Sequence, residues 1–193
     1  MLGWSGDVRP IRVDLLTLST VNDGLIDGFR HNAWATRGLI DFCRRLNDDQ
    51  LSAKAVGSYG SILETLKHLI GAECFYTSLL TGRFPDWEWD EAAPADLDQL
   101  AGWAADLEAI WEDLLSRPID AESLLHEDFG NEGYRDARAG IVLAQALHHG
   151  TAHREQVATI LTSLRFEPPD LDVWAYGESV GRDTFTSPGT APA

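Results

Sequence analysis

The sequence predicts an all-α protein, a four-helix bundle with an irregular segment before its last helix. Three observations carry that expectation. Four long stretches repeat apolar side chains every three or four residues, the period of one helical face. Pro, Gly and Asx clusters separate those stretches. The composition, 193 residues with 44% hydrophobic and 24% charged side chains, suits a soluble chain with one sizeable core. Residues 1–193 therefore read as a single domain.

The first helix is expected over 22–46, where Leu25, Phe29, Ala33, Trp34, Leu39, Ile40, Cys43 and Leu46 fall near helical spacing. Asn47-Asp48-Asp49-Gln50 supplies the turn formers that end it. Ser61 opens the second helix as N-cap, with Glu64 three residues on in the capping-box pattern. That helix is expected over 62–80 and closes at Gly82. Pro85 keeps residues 84–90 out of it. The third, over 96–116, carries Leu97, Leu100, Ala104, Leu107, Ile110, Trp111 and Leu114 on one stripe and stops at Pro118. Residues 119–138, with Gly130, Asn131 and Gly133, read as a short hairpin or a loop. The fourth helix is expected over 139–165, ended by Pro168-Pro169. The aromatic stretch 170–176 should pack back on the bundle. Residues 186–193, rich in Ser, Thr, Pro, Gly and Ala, are expected to be disordered. The seven tryptophans read as aromatic core.

Charge and motifs exclude several functions. A net charge of −16 repels phosphate backbones and anionic lipid heads, so neither nucleic acid nor a membrane is expected as partner. The first residues lack the basic and apolar regions of a signal peptide. No stretch approaches the roughly 18 apolar residues of a membrane span. The expected location is the cytoplasm. There Cys43 and Cys74 would be reduced core thiols. The chain has no phosphate-binding loop, dinucleotide fingerprint or nucleophile elbow, nor the paired E-x-x-H of di-iron bundles.

The histidines are where chemistry concentrates. There are six: His31, His68, His126, His148, His149 and His153. His149 and His153 stand four apart, which stacks them on one helix face about 5–6 Å apart at Cβ, the spacing of helical H-x-x-x-H metal sites. Val142 and Ala146 on one side and Val157 and Ile160 on the other share that face, so both imidazoles point inward. His148 lies on the flank. A third ligand must come from another helix. His68, bordering the apolar stripe of the second helix, is the candidate, and His31 of the first is its rival. His126 falls in the irregular segment and reads as exposed. Inward histidines merely hydrogen-bonded in a core are the structural alternative.

Four stretches resemble a known family, the DinB/YfiT-like metalloenzymes: His31-Asn32-x-Trp34; Thr65-Leu66-Lys67-His68-Leu69-Ile70-Gly71-Ala72-Glu73; His149-x-x-x-His153-Arg154-x-Gln156; and Pro168-Pro169-Asp170-Leu171-Asp172 with Trp174 and Tyr176. Their order and spacing span about 25–177. Glu155 stands where the family usually has Gly. The resemblance implies an up-down-down-up bundle in which His68, His149 and His153 bind a divalent metal, zinc or nickel, while His31 is not a ligand. Three neutral imidazoles with positions left open are the pattern of catalytic metal sites. The resemblance further implies a homodimer and a thiol-dependent S-transferase or isomerase that uses a low-molecular-weight thiol, such as mycothiol or bacillithiol, on a small electrophilic substrate. A metal-dependent hydrolase is the related expectation. The rival reading is a non-catalytic metal-binding bundle, stress-linked or a scaffold. Among other side chains, Tyr76 or Tyr134 could orient a substrate.

Overall fold

A computed structural model describes residues 23–186. The expected start of the first helix at Asn22, the leader reading and the expected tail from 187 onward lie outside them. Helix α1 spans Asp23–Cys43, α3 Ile62–Thr81, α4 Leu97–Leu115 and α5 Ala139–Ser163. These four long helices match the four expected stretches, each within a few residues. Helix α1 packs on α4 and α5, and α3 packs on the same two.

The helix ends follow local chemistry. Ser61 accepts from the Glu64 N–H while the Glu64 side chain returns to the Ser61 N–H, a full capping box. Gly82 closes α3 in the left-handed region (φ 74°), where glycine has no Cβ penalty. Asp96 caps α4 through the N–H groups of Asp98 and Gln99. The first helix stops at Cys43, short of the expected 46. Asn47 then caps a one-turn helix, α2, Asp48–Leu51, in a box with Gln50. Side chains that make turns also make N-caps, so the turn expected there is a helix start instead.

The irregular segment is a hairpin. Strand β1, Leu124–Asp128, pairs antiparallel with β2, Tyr134–Arg138, around a 3-10 turn at Gly130–Glu132. After Pro168-Pro169, Asp172 caps a short helix α6, Val173–Ser179, by accepting from the Ala175 N–H, and α6 packs back on α1 as expected.

The core falls into two apolar clusters. One holds Leu39, Ile40, Leu66, Ile70, Val157 and Ile160; the other holds Phe29, Trp111, Leu115, Leu143 and Ala146. Between the two clusters in sequence sit buried polar residues, Asn32 and Thr36 on α1 and Arg154 on α5, and α3 adds the buried Glu73. The tryptophans are a correction to the sequence reading. Trp111 is buried, but Trp34, Trp87, Trp89 and Trp103 are half-buried and Trp174 is exposed. Trp89 instead lies over Gly71, where an added Cβ would meet its ring at 2.7 Å. Cys43 and Cys74 are buried free thiols, and burial pushes them up to about 12 and about 11.

Candidate metal centre

Helix α3 brings His68, and α5 brings His149 and His153, to one place. One nitrogen from each ring lies within 4.8 Å of the others. The ring centroids are 5.1 Å (His68–His149), 4.7 Å (His68–His153) and 4.3 Å (His149–His153) apart. The expected helical stacking of His149 on His153 is therefore present, and the packing of α3 on α5 supplies the third ring.

His31 is placed elsewhere. Its Nε2–H donates to the Leu171 carbonyl at 2.8 Å, and its ring meets Tyr176 and Trp34. It fastens the C-terminal segment to α1. His126 is exposed on the hairpin beside Asp136, 2.8 Å from Nδ1 to Oδ1, and His148 is exposed on the flank of α5.

Three side chains orient the triad. Gln156 Oε1 accepts from the Tyr59 N–H at 3.0 Å and lies 3.0 Å from His153 Nδ1. A backbone N–H only donates, so the Gln156 atom is the oxygen, and Nδ1 must carry the proton. That leaves His153 Nε2 as the nitrogen with a free lone pair. The Tyr59 ring stacks on His68, centroids 3.9 Å apart, and Tyr76 meets His149 edge-on at 5.7 Å.

Burial holds all three imidazoles neutral. It pushes His149 down to about 4, helped by His153, His68 and His148. His68 is lowered by burial and then by His153; His153 is lowered by burial against the Gln156 hydrogen bond. Neutral imidazoles are the form that ligates a metal. On the Tyr59 and His68 side, a solvent-open recess of about 620 Å³ carries Lys54, Ser61 and Glu91 on its walls.

Behind the triad, the buried polar residues form one network. Asn32 Nδ2 donates to both Glu73 oxygens at 3.2 Å, and Trp111 Nε1 donates to Glu73 Oε1 at 2.7 Å. Arg154 Nη1 donates to Asn32 Oδ1 at 2.7 Å and to Thr36 Oγ1 at 3.1 Å. The Asn32 amide thus bridges a buried carboxylate and a buried guanidinium. Burial raises Glu73 and lowers Arg154 to about 10. An added Cβ on Gly150 would run into Asn32 Oδ1 and crowd Arg154, so glycine admits the bridge. Sequence reasoning had matched Asn32, Glu73, Arg154 and Gln156 to a motif without giving them roles. Tyr59 lies 97 residues from Gln156 and Asn32 lies 122 from Arg154, beyond any local pattern.

No described helix is long and apolar enough to cross a membrane. None of the curated proteins matches the chain. Among solved structures, a DinB-like protein from Bacillus cereus superposes with a TM-score of 0.59 at 18% identity, covering 76% of this chain and 95% of that one. At that identity the likeness is one of fold. The sequence profile of the DinB family matches residues 20–184, and with that match over most of its length the chain belongs to the DinB family.

Proposed function

We propose that His68, His149 and His153 hold one divalent cation, zinc or nickel, and that the chain is a metal-dependent enzyme: a thiol-dependent transferase or isomerase acting on a small electrophile. The observation that carries this reading is the triad itself, three neutral imidazoles from two helices with donor atoms within 4.8 Å of one another. The donor set fits such a cation: imidazole suits both zinc and nickel, and the Gln156 acceptor sets His153 with Nε2 as the ligating atom. Among the described residues no Cys, Asp or Glu joins the cluster. Structural zinc is normally closed by four protein ligands, whereas catalytic zinc keeps a position open. Once bound, such a cation supplies Lewis acidity that brings the pKa of a held water or thiol toward neutral.

The protein's own part is orientation and access. Gln156 fixes one imidazole, Tyr59 and Tyr76 confine the other two, and the recess beside His68 has room for a polar thiol cosubstrate. The reading also carries the up-down-down-up course of the helices, a cytoplasmic location consistent with two free buried thiols, and a homodimer.

Elemental analysis tests it, on protein purified without chelator or nickel column, beside His68→Ala, His149→Ala and His153→Ala. The expected result is near one equivalent of metal in the parent and a loss in each variant. Stoichiometric metal in all three variants would overturn the site. Full metal with no turnover across a panel of thiols and electrophiles would favour the non-catalytic, scaffold-like binding module.

A further inference from the structure

On the Tyr76 side of the triad, the hairpin folds over the groove between α3 and α5 and borders a half-open pocket of about 70 Å³. Phe75 and Leu79 of α3, Leu125 and Ala137 of the hairpin and Val142 of α5 wall it. Leu125 and Ala137 are cross-strand partners, so they share one face of the ribbon. Exposure alternates along β1, with Leu125 and Glu127 turned inward, the period of a strand. Glu127 is paired with Arg135 at 3.6 Å, so the rim offers no net charge to select a ligand's sign.

Tyr76 belongs to both places. Its ring touches His149 and lines the cavity. Its hydroxyl accepts from Gln145 Nε2 at 3.3 Å. A phenol both accepts and donates, and among the described residues no acceptor takes its proton. That proton is available between the histidines and a mostly apolar pocket.

We propose that this cavity is the subsite for a short aliphatic group of the substrate handled at the triad, with the Tyr76 hydroxyl donating to the polar atom that joins the two. This rests on the metal reading above. Size sets the class of group. An apolar cavity of about 150 Å³ takes benzene. This one is about half that, room for three or four carbons but not for an aromatic ring. Each methylene it buries tightens binding about fourfold.

The test is calorimetric titration of the zinc-loaded protein with straight-chain alkyl hydroxamates from acetyl to octanoyl, and with benzohydroxamate. The expected affinity rises about fourfold per carbon as far as the four- or five-carbon acid and then stops rising; benzohydroxamate gains nothing over the acetyl compound. Ala137→Leu fills the cavity and flattens the series. Leu79→Ala enlarges it and carries the rise to longer chains, a gain that an unfolded variant would not give. A series flat in the parent, or one rising unbroken to octanoyl, overturns the subsite. Metal-free protein is titrated with 1-butanol in parallel. Shifts at the Leu79, Leu125 and Val142 methyl signals that Ala137→Leu abolishes support the pocket, and their absence overturns it. If the parent holds no metal, the reading of the centre fails on its own, and the butanol arm still decides the pocket.

Discussion

At the scale of single residues, the centre depends on one amide oxygen. Gln156 Oε1 receives a backbone N–H and so can only accept from His153, which fixes the tautomer of a candidate ligand. Outer partners of this kind typically change metal affinity 10–100-fold. Gln156→Ala should therefore weaken zinc binding by about 10- to 100-fold, read by chelator competition, with helical content unchanged; Gln156→Glu, which keeps an acceptor, should recover part of the loss. Asn32 plays the same role in the polar layer. Asn32→Ala leaves the Glu73 carboxylate and the Arg154 guanidinium buried without their bridge. Its expected cost is about 2–4 kcal/mol in denaturant unfolding.

At the scale of elements, the start of α3 positions His68 two turns beyond its cap. Ser61→Ala removes the acceptor of the Glu64 N–H and should cost about 1 kcal/mol. The same cap carries an acid dependence. The hydrogen bond from Lys54, then those from the Ser61 backbone and side chain, hold the Glu64 carboxyl down to about 2. Its folded value lies below the unfolded value of about 4.3, so this stabilisation is complete above about pH 4.5 and fades as pH falls toward 2. Lys54 and Glu64 are more than half exposed, so the effect stays below about 1 kcal/mol. Glu64→Gln should flatten that part of the acid unfolding curve. Beyond α3, the buried Lys67 ammonium donates to the carbonyls of Asp90, Glu91 and Ala93 and clamps the connection to α4. Lys67→Met leaves those carbonyls without their donor and should raise protease sensitivity around residues 83–96.

For the whole molecule, the polar layer and the triad meet on α5, where Gly150 sits between His149 and His153. Gly150→Ala pushes a methyl against Asn32 and should destabilise the bundle by about 1–3 kcal/mol, as overpacking does. Metal affinity should fall with it. A ligand that binds only the folded chain stabilises it by mass action, about 2.7 kcal/mol at a hundredfold excess over Kd. Chelation should therefore lower the Tm of the parent and leave that of His153→Ala unchanged.

Most of the helical framework was legible because its signals are local. Stripes at a period of 3.6, the Ser61–Glu64 box, Gly82 and Pro168-Pro169 each act within a few residues. So does the stacking of His149 on His153. The ambiguous places were those where one local chemistry serves two structures: Asn47-Asp48 as turn or cap, and 119–138 as loop or hairpin. The residue pattern alone left His68 and His31 as rivals; the family resemblance favoured His68, and the physical reason lies in the tertiary structure, where α3 faces α5 and the Leu171 carbonyl takes the His31 proton. The Asn32 bridge, the Gln156 tautomer and the pocket beneath the hairpin likewise needed residues far apart in sequence to meet. Periodicity fixes which face of a helix turns inward, but the face it then meets is settled only when the helices pack together.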